Sequence, residues 1–440
     1  MATEILVGNC VSSMAALREK RFHIAVTSPP YLWQRLYGTD PVDWPEVTYK
    51  PMPGMPTVTV PAWRGELGGE PEPLAYVGHL VEVFRGVWRV LRDDGTLWVN
   101  VGDSYHNVRT HNNGGVPTNT VHLGTSRDGT ECFSRENRNK KLDGIGEKNL
   151  LGIPWRAALA LQSDGWVLRS EVIWHKPAPM PESVRDRPTR AHEQLFMFSK
   201  GPKYFYDATA IAETAECDRK RGPALHADLD STNGNSGLCR RELAETRNAR
   251  SVWAINSESM AEDHHAAFPT ELPRRCILAG TSAHGVCALC GAPYVRVVER
   301  GSRPDRPGRV QEREGDSIGE AHGEDGRDGS RKIATAKTLG WEKTCKREPH
   351  YAWPKAERTE VSKPAPAEVL DPFGGSGRTA VAGWQTQRDV VLCEIREEYA
   401  EIARRQIEAA MQGQKIKRKQ EDKAVGMGVL VAKATLGGVK

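Results

Sequence analysis

A serine, two prolines and a tyrosine follow an apolar segment near the start of the chain. Ser28, Pro29, Pro30 and Tyr31 come directly after His23–Val26, which is predicted as a strand. The prolines have no amide donor, so the turn presents acceptors, the Ser28 hydroxyl and the Pro29 carbonyl, beside an aromatic ring. Such acceptors suit an amino group carried on a flat ring that stacks on Tyr31. Taken alone, the same residues also fit a purely structural turn.

A glycine-rich turn lies near the other end of the chain, between a predicted strand and a predicted helix. Glycines let the backbone approach a ligand closely, and Glu394, at the end of the next strand, can accept hydrogen bonds from a ribose. The alternative is a tight strand–helix connection without a ligand. The candidate binding residues of this turn are Asp371, Phe373, Gly374, Gly375, Ser376 and Gly377.

Both motifs follow strands in a chain where predicted strands and helices alternate, and Asp93–Gly95 is predicted as a turn before one of those strands. This alternation predicts an α/β fold with a mostly parallel, doubly wound sheet, in which ligands bind at the carboxyl ends of strands. Predicted strands are Glu4–Val7, His23–Val26, Thr96–Val101, Val167–Leu168, Val172–Trp174, Glu368–Leu370 and Asp389–Cys393. Predicted helices are Val11–Lys20, Leu74–Leu91, Ile153–Leu161, Arg378–Trp384 and Glu397–Gln412.

Composition excludes several classes of protein. The 440 residues are 38% hydrophobic and 27% charged, which excludes a wholly disordered chain and a collagen. No apolar run reaches the roughly 18 residues of a membrane span. The net charge of +4 neither demands nor excludes nucleic acid. The 9 cysteines are mostly isolated and no secretory signal is visible, so we expect a protein of the reducing cytoplasm.

Together, the two motifs resemble those of the β-class DNA amino-methyltransferases. In that family a Ser/Asn/Asp-Pro-Pro-Tyr/Phe motif receives the target base, an Asp-Pro-Phe-x-Gly-Ser-Gly motif binds S-adenosylmethionine, and the catalytic motif comes first, as it does here. The stretches 89–105, 169–199 and 268–277 also resemble the family. The resemblance implies a permuted Rossmann-like methyltransferase fold, with Phe268 and Pro269 on the cofactor side. Arg378 departs from the family's usual Thr, and Glu394 from its commoner Asp.

The resemblance implies methyl transfer from S-adenosylmethionine to the exocyclic amino nitrogen of a flipped base in double-stranded DNA. Ser28 favours N4 of cytosine, and N6 of adenine remains the alternative because some adenine enzymes also carry serine there. RNA or protein methyltransferases of related fold place the cofactor motif first, which argues against them. An inactive DNA-binding relative would be expected to have lost one of the two motifs.

The same resemblance and the composition of the connecting segments predict the domain organisation. The segment 301–331 is rich in charge and poor in large apolar residues, and is predicted to be disordered. The predicted units are a catalytic half 1–207, a target-recognition insertion 208–263, a cofactor-side segment 264–286, a zinc-ribbon insertion 287–350, an S-adenosylmethionine-binding half 351–412 and a basic flexible tail 413–440.

A basic, proline-rich loop is the candidate for phosphate contacts. Lys176, Arg185, Arg187 and Arg190 fit either a DNA clamp or a solvated face. No segment resembles a nuclease, so any restriction endonuclease would be a separate chain, and a homodimer is left open.

Two cysteines with metal-ligand spacing stand apart from these motifs. Cys287 and Cys290 could bind one tetrahedral zinc ion, with Cys345 as third ligand and His350 or His284 as fourth. A reduced pair without metal and a redox dithiol are the alternatives.

Overall fold

Strands and helices alternate along most of the chain, as the sequence predicts. The computed structural model describes residues 1–35, 37–106, 142–214, 246–258, 268–299, 337–348 and 362–413. The helices are α1 (Cys10–Ala15), α2 (Pro73–Val90), α3 (Ile153–Ser163), α4 (Glu271–Gly280), α5 (Arg378–Thr386) and α6 (Glu397–Met411), with a 3-10 turn at Ala208–Ile211. The strands are β1 (Thr3–Val7), β2 (Phe22–Thr27), β3 (Val42–Trp44), β4 (Val47–Tyr49), β5 (Val58–Val60), β6 (Trp63–Gly65), β7 (Leu91–Val101), β8 (Val167–His175), β9 (His192–Ser199), β10 (Glu213–Thr214), β11 (Thr246–Arg247), β12 (Val252–Ala254), β13 (Val286–Cys287), β14 (Tyr294–Glu299), β15 (Lys337–Lys343), β16 (Pro364–Ala365), β17 (Glu368–Asp371) and β18 (Asp389–Glu394).

Eight strands form the central sheet in the order β1-β18-β17-β2-β7-β9-β8-β12. The first five are parallel, β9 is antiparallel to both of its neighbours, and β12 is parallel to β8. The mostly parallel sheet is therefore confirmed. Strands β17 and β2, far apart along the chain, lie side by side, so the two motifs that follow them meet at one edge of the sheet.

Helices cover both faces of this sheet, which confirms the doubly wound prediction. On one face α1, α2 and α3 bury their apolar sides in a core with Phe22 and Ala25 of β2. On the other face α4, α5 and α6 pack against Ile24 and Val26 of the same strand. All six residues of β2 are buried, so its central residues Ile24–Val26 are apolar, and the polar residues His23 and Thr27 near its two ends both have hydrogen-bond partners.

Two local predictions differ from the structure. The helix predicted to reach Lys20 ends at Ala15, because the Arg89 guanidinium donates to the carbonyl oxygens of Met14, Ala15 and Leu17 and closes the turn there. The turn predicted at Asp93–Gly95 lies within the long strand β7, at the irregularity where its register with β2 shifts between Leu91 and Thr96. An ion pair between Arg92 and Asp94, 2.8 Å apart, also lies in this part of the strand.

The Pro- and Gly-rich stretch before α2 contains two small antiparallel pairs, β3–β6 and β4–β5. These hairpins place Trp44 and Trp63 over the ring of His79, with centroid distances of 4.7 and 5.5 Å. The His79 Nδ1 is 2.9 Å from a carboxylate oxygen of Glu70, and both side chains are fully buried. The stretch is thus a packed cap beside the catalytic motif.

Several predicted units are only partly described. Within the predicted recognition insertion, β12 adds an edge strand to the central sheet, and β10 pairs with β11. The segment 301–331, His350 and residues 414–440 lie outside the described residues. No helix in the described ranges is both long and apolar enough to cross a membrane.

Candidate active site

A cavity of ≈ 130 Å³ lies at the edge where β2, β17 and β18 end. Ser28 and Pro30 form one part of its wall, and the turn Phe373–Ser376 forms another. Glu394 and Phe268 also line it. The structure therefore brings the two predicted motifs to a single cavity, although they lie at opposite ends of the chain.

Asp371 joins the two motifs from behind the cavity wall. Its carboxylate accepts hydrogen bonds from Thr27 Oγ1 and Thr379 Oγ1, both at 2.6 Å, and from the Phe373 amide at 3.0 Å. Burial raises the pKa of Asp371 to about 6, although these three donors act in the opposite direction. Asp371 is not among the residues that line the cavity, so its geometry is that of a tether between Thr27, just before the catalytic motif, and the glycine turn.

The glycine turn has the backbone geometry that its composition predicts. Gly375 and Gly377 have φ of 50° and 81°, in the left-handed region that glycine adopts without strain. A Cβ atom at Gly374 would lie 2.8 Å from the Cβ of Leu392, so no larger residue fits without displacement. The turn thus brings its backbone close to β18 and leaves the cavity open.

Glu394 is held at the end of β18 by the backbone. Its two carboxylate oxygens accept the amides of Gly375 at 2.7 Å and Arg396 at 3.0 Å. Burial raises the pKa of Glu394 above its ordinary value, and the same two amides oppose that shift. A carboxylate fixed in this way at a cavity wall still has lone pairs for hydroxyl groups of a ligand.

Two polar atoms at this wall are buried without a hydrogen-bond partner among the described residues, Ser376 Oγ and Arg378 Nε. The other side of the Arg378 guanidinium lies 2.8 Å from Glu258 and 3.2 Å from Thr270 Oγ1. The departure from the family pattern at Arg378 therefore adds contacts at the start of α5. Pro269, unlike Phe268, is not on the cavity wall and instead accepts the Leu272 amide at 3.0 Å.

The predicted catalytic motif, Ser28–Tyr31, belongs to a polar cluster. Ser28 Oγ donates to the Tyr31 hydroxyl at 3.1 Å, and that hydroxyl is 2.9 Å from Asn100 Oδ1 and 2.8 Å from Glu193 Oε2. Burial and the charge of Glu193 raise the pKa of Tyr31 well above its ordinary value. The ring lies against Gly102, where a Cβ atom would come within 2.4 Å. One side of the Tyr31 ring is therefore covered by backbone, and Tyr31 does not line the cavity.

Asn100 and Glu193 were not found from the sequence. Asn100 is 1% exposed and stands near the end of β7, and Glu193 is on β9, which was not predicted. A polar residue at the carboxyl end of an apolar strand is a signal that could have identified Asn100. Glu193 reaches the Tyr31 hydroxyl only because β9 lies beside β7 in the sheet.

Three of the four predicted DNA-binding side chains have partners within the protein. Lys176 Nζ binds Glu193 Oε1, Arg187 lies 2.5 Å from Glu182, and Arg190 donates to the Gln194 side chain at 3.2 Å. Arg185 is exposed. The loop lies beside the catalytic cluster through Lys176, and its role as a phosphate clamp stays a prediction.

The three predicted cysteine ligands converge. The Sγ atoms of Cys287, Cys290 and Cys345 lie within 4.8 Å of one another. The ring of His284 stacks on Trp341 with a centroid distance of 5.7 Å and an angle of 11°, and it is not part of the cluster. The structure thus brings together the three cysteines of the prediction and does not bring His284 to them.

Comparison with known proteins places the chain among DNA methylases. The N6/N4 DNA methylase family model matches residues 22–288 and 362–405. The type II methyltransferase M.SmaI of Serratia marcescens is 36% identical over 282 residues, 64% of this chain and 76% of that protein. M.Cfr9I of Citrobacter freundii, also a type II methyltransferase, is 36% identical over 274 residues, 62% of this chain and 71% of that protein.

A solved structure of the PvuII DNA methyltransferase (cytosine-N4-specific) aligns with a TM-score of 0.45 and 13% identity, covering 92% of this chain and 86% of that one. The family assignment depends on the sequence matches. The two matched segments contain Ser28 and Phe268 in one and the glycine turn with Glu394 in the other. The chain therefore belongs to the DNA methylase family that comprises the N6 and N4 amino-methyltransferases.

Proposed function

We propose that this protein transfers a methyl group from S-adenosylmethionine to N4 of cytosine at a specific site in double-stranded DNA. The observation that carries the proposal is the shared cavity, in which Ser28 faces the same space as Ser376 and Glu394. The hydrogen bond from Thr27 to Asp371 sets the distance between these two parts of the wall. Transfer between two bound substrates needs such fixed relative placement.

The cavity residues fit S-adenosylmethionine by their chemistry. Glu394 offers carboxylate oxygens to the ribose hydroxyls, and Phe268 and Phe373 offer apolar surface to the adenine ring. Ser376 and Arg378 have buried donors without a partner in the described part of the chain, which suits the carboxylate of the methionine moiety. When bound, S-adenosylmethionine supplies a methyl group on a positively charged sulfur.

Ser28 and Pro29 would hold the target amino group. Ser28 donates its own hydrogen to Tyr31, so its oxygen is oriented to accept. The Pro29 carbonyl would be the second acceptor; Pro29 lies between Ser28 and Pro30, which line the cavity, and is not itself among the lining residues. Two acceptors on the amino hydrogens favour a pyramidal nitrogen with its lone pair free for the methyl group. The N–C bond would form as the C–S bond breaks, S-adenosylhomocysteine would be left, and the amino nitrogen would release one proton to solvent.

In double-stranded DNA the target amino group lies inside a base pair and cannot reach this cavity unless the base is flipped out. Flipping the base out costs a few kcal/mol, and contacts of the flipped base must offset that cost. Pro30 supplies apolar surface on the cavity wall, whereas the Tyr31 ring lies against Gly102 and is not on that wall. Basic residues of the loop 176–190 would position the phosphates, and the segment 208–263 would read the sequence.

The choice of cytosine follows from Ser28, which the N4-cytosine enzymes of this family carry at the same place. The decisive experiment is mass spectrometry of nucleosides from unmethylated DNA after incubation with the protein and S-adenosylmethionine. We expect N4-methylcytosine. N6-methyladenine would overturn the assignment of the base and retain amino transfer, and absence of both would overturn the function.

A second experiment tests the role of Ser28. Ser28→Ala removes one acceptor, and a lost hydrogen bond in the transition state lowers kcat by about tenfold to a hundredfold. The dissociation constant for S-adenosylmethionine, measured by calorimetry, should stay within about twofold. Ser12→Ala, an exposed serine on α1, is the matched control and should leave both quantities unchanged. An unaltered kcat in Ser28→Ala would contradict the proposed base site.

A further inference from the structure

The three converging cysteines belong to a small module that the methyl-transfer site does not use. Cys287 ends β13, Cys290 lies in the following turn, and Cys345 comes directly after the β14–β15 hairpin. Their sulfur atoms lie within 4.8 Å of one another, and all three cysteines are free. A tetrahedral zinc ion with Zn–S bonds of ~2.3 Å places sulfurs roughly 3.8 Å apart, so only a small inward movement is needed.

The turn that carries the first two cysteines is built to point both sulfurs inward. The Gly291 and Cys290 amides donate to the Cys287 carbonyl at 2.7 and 3.3 Å, which folds the backbone around the Cys287 side chain. Gly291 has a φ of 70°, and a Cβ atom there would come within 2.7 Å of the Arg92 guanidinium. Glycine is therefore required directly after Cys290, both for the backbone conformation and for the approach of Arg92.

The central sheet holds this turn at the amino ends of its strands, opposite to the strand ends where the cavity lies. His23 Nε2 donates to the Gly291 carbonyl at 2.9 Å, and its Nδ1 accepts the Glu368 amide at 3.0 Å. Arg92 donates to the Cys290 carbonyl at 2.8 Å. His23 and Glu368 stand near the amino ends of β2 and β17, whereas the catalytic motif and the glycine turn follow their carboxyl ends. A metal at the cysteines therefore lies away from the reacting groups.

The hairpin that leads to Cys345 is also anchored, to the residue that begins the 3-10 turn Ala208–Ile211. Arg296 of β14 makes an ion pair with the buried Asp207, with a closest distance of 2.8 Å, and its guanidinium lies over the ring of Trp341. The Thr344 hydroxyl donates to the Pro293 carbonyl at 2.6 Å and ties the end of β15 to the start of β14. Both halves of the cysteine cluster are thus held in place by contacts with residues outside the cluster.

We infer that Cys287, Cys290 and Cys345 bind one structural zinc ion, which fixes the turn that braces the amino ends of β2 and β17. Each cysteine binds as a thiolate, so its proton is released to solvent when the ion is bound. Thiolate ligands select zinc over the hard cations magnesium and calcium. The inference concerns stability and does not depend on which base is methylated.

The test is the metal content of the purified full chain, measured by inductively coupled plasma mass spectrometry after passage over a weak chelating resin. We expect about one zinc per chain in the wild type, and a loss of most of it in Cys290→Ser and Cys345→Ser. Cys276→Ala removes a buried thiol outside the cluster and should retain the zinc. A wild type without zinc, or a Cys345→Ser variant with an undiminished content, would overturn the inference.

Because cysteine variants of a structural site can fail to fold, a second measurement uses the wild type alone. Titration with a mercurial reagent should release zinc in proportion to the thiols modified, as followed with a metallochromic dye. Removal of the ion by a strong chelator should lower Tm by several degrees, and added zinc should restore it. An unchanged Tm after complete removal would show that the ion does not stabilise the turn.

Discussion

At the scale of single residues, Glu193 is the unexpected member of the site. It lies two hydrogen bonds from Ser28, because Ser28 donates to Tyr31 and the Tyr31 hydroxyl is 2.8 Å from the Glu193 carboxylate. The charge of Lys176 compensates that carboxylate on its other oxygen. We expect Glu193 to orient the Tyr31 hydroxyl, and through it the Ser28 hydroxyl that is proposed to accept the target amino group. We regard it as a positioning residue.

Glu193→Gln removes the charge that orients Tyr31 and leaves Lys176 without its counter-ion. Loss of a hydrogen bond to a charged group should lower kcat about tenfold, with the dissociation constant for S-adenosylmethionine unchanged. Steady-state kinetics and calorimetry separate these quantities. Glu171→Gln, a partly exposed carboxyl on β8, is the control and should behave as wild type. A parallel loss of cofactor binding and kcat would indicate general unfolding instead.

We expect Asp371 to make the proposed activity depend on pH. Its pKa of about 6 means that the carboxylate is protonated below that value, and one of the two threonine hydroxyls must then turn from donor to acceptor. We expect kcat/KM for S-adenosylmethionine to fall below about pH 6. In Asp371→Asn it should be low and lack this pH dependence. A pH profile for both proteins checks this, and identical profiles would contradict it.

A fall in pH has the opposite effect on the contribution of Asp371 to the stability of the fold. The folded-state pKa of this carboxyl lies above the ordinary value of 3.8, so the folded chain binds the proton more readily than the unfolded chain between these values. Its contribution to the free energy of unfolding is therefore fully present at low pH and is lost as the pH rises to about 6. The ionised form of Asp371, which accepts both threonine hydrogen bonds, is therefore present in the pH range in which this contribution to the free energy of unfolding has been lost.

At the scale of elements, the glycine turn and α5 show how a local motif depends on its neighbours. Gly377 ends the turn with a left-handed backbone, and a Cβ atom there would lie 2.8 Å from the Cβ of Ala403 in α6. The sequence predicted the turn, the glycines and the helix after them. That Gly377 must also make room for α6 could not be predicted, because the contact depends on the crossing of two helices.

Gly377→Ala tests this requirement. The left-handed φ and the contact with Ala403 should together lower the free energy of unfolding by about 1–3 kcal/mol and weaken cofactor binding by displacing α5. Chemical denaturation and calorimetry measure the two effects. Gly201→Ala is the control, because a Cβ atom at Gly201 meets nothing within 4 Å. Unchanged stability and affinity in Gly377→Ala would show that α6 adapts without cost.

At the scale of the whole molecule, the sheet order decides where the chemistry takes place. Strands β2 and β17 are neighbours, so Thr27 can donate to Asp371 across a sequence separation that covers most of the chain. The catalytic cavity lies at the carboxyl ends of these strands. The cysteine module lies at their amino ends, near His23 and Glu368. The two proposals therefore place methyl transfer at one end of this strand pair and the bracing metal at the other.

Thr27→Val tests the connection between the two halves. Valine has nearly the same shape but no hydroxyl, so a buried carboxylate loses one donor at a cost of about 1–3 kcal/mol in the free energy of unfolding. We expect kcat to fall more than the affinity for either substrate, because the two halves of the cavity lose their fixed spacing. Thr48→Val, in an exposed threonine pair, is the control. A fall in affinity alone would contradict the role of the tether.

The sequence by itself determined the two motifs, the alternation of strands and helices, the doubly wound sheet and the three cysteines of the module. These features depend on neighbouring residues, such as the prolines beside Ser28, the glycines after Asp371 and the spacing of Cys287 and Cys290. Only the tertiary structure decided that Asp371 lies behind the wall, that Glu193 orients Tyr31 and that His284 packs on Trp341. The physical reason is that such contacts depend on which strands lie side by side, and this order is set by burial of the whole core and not by local sequence.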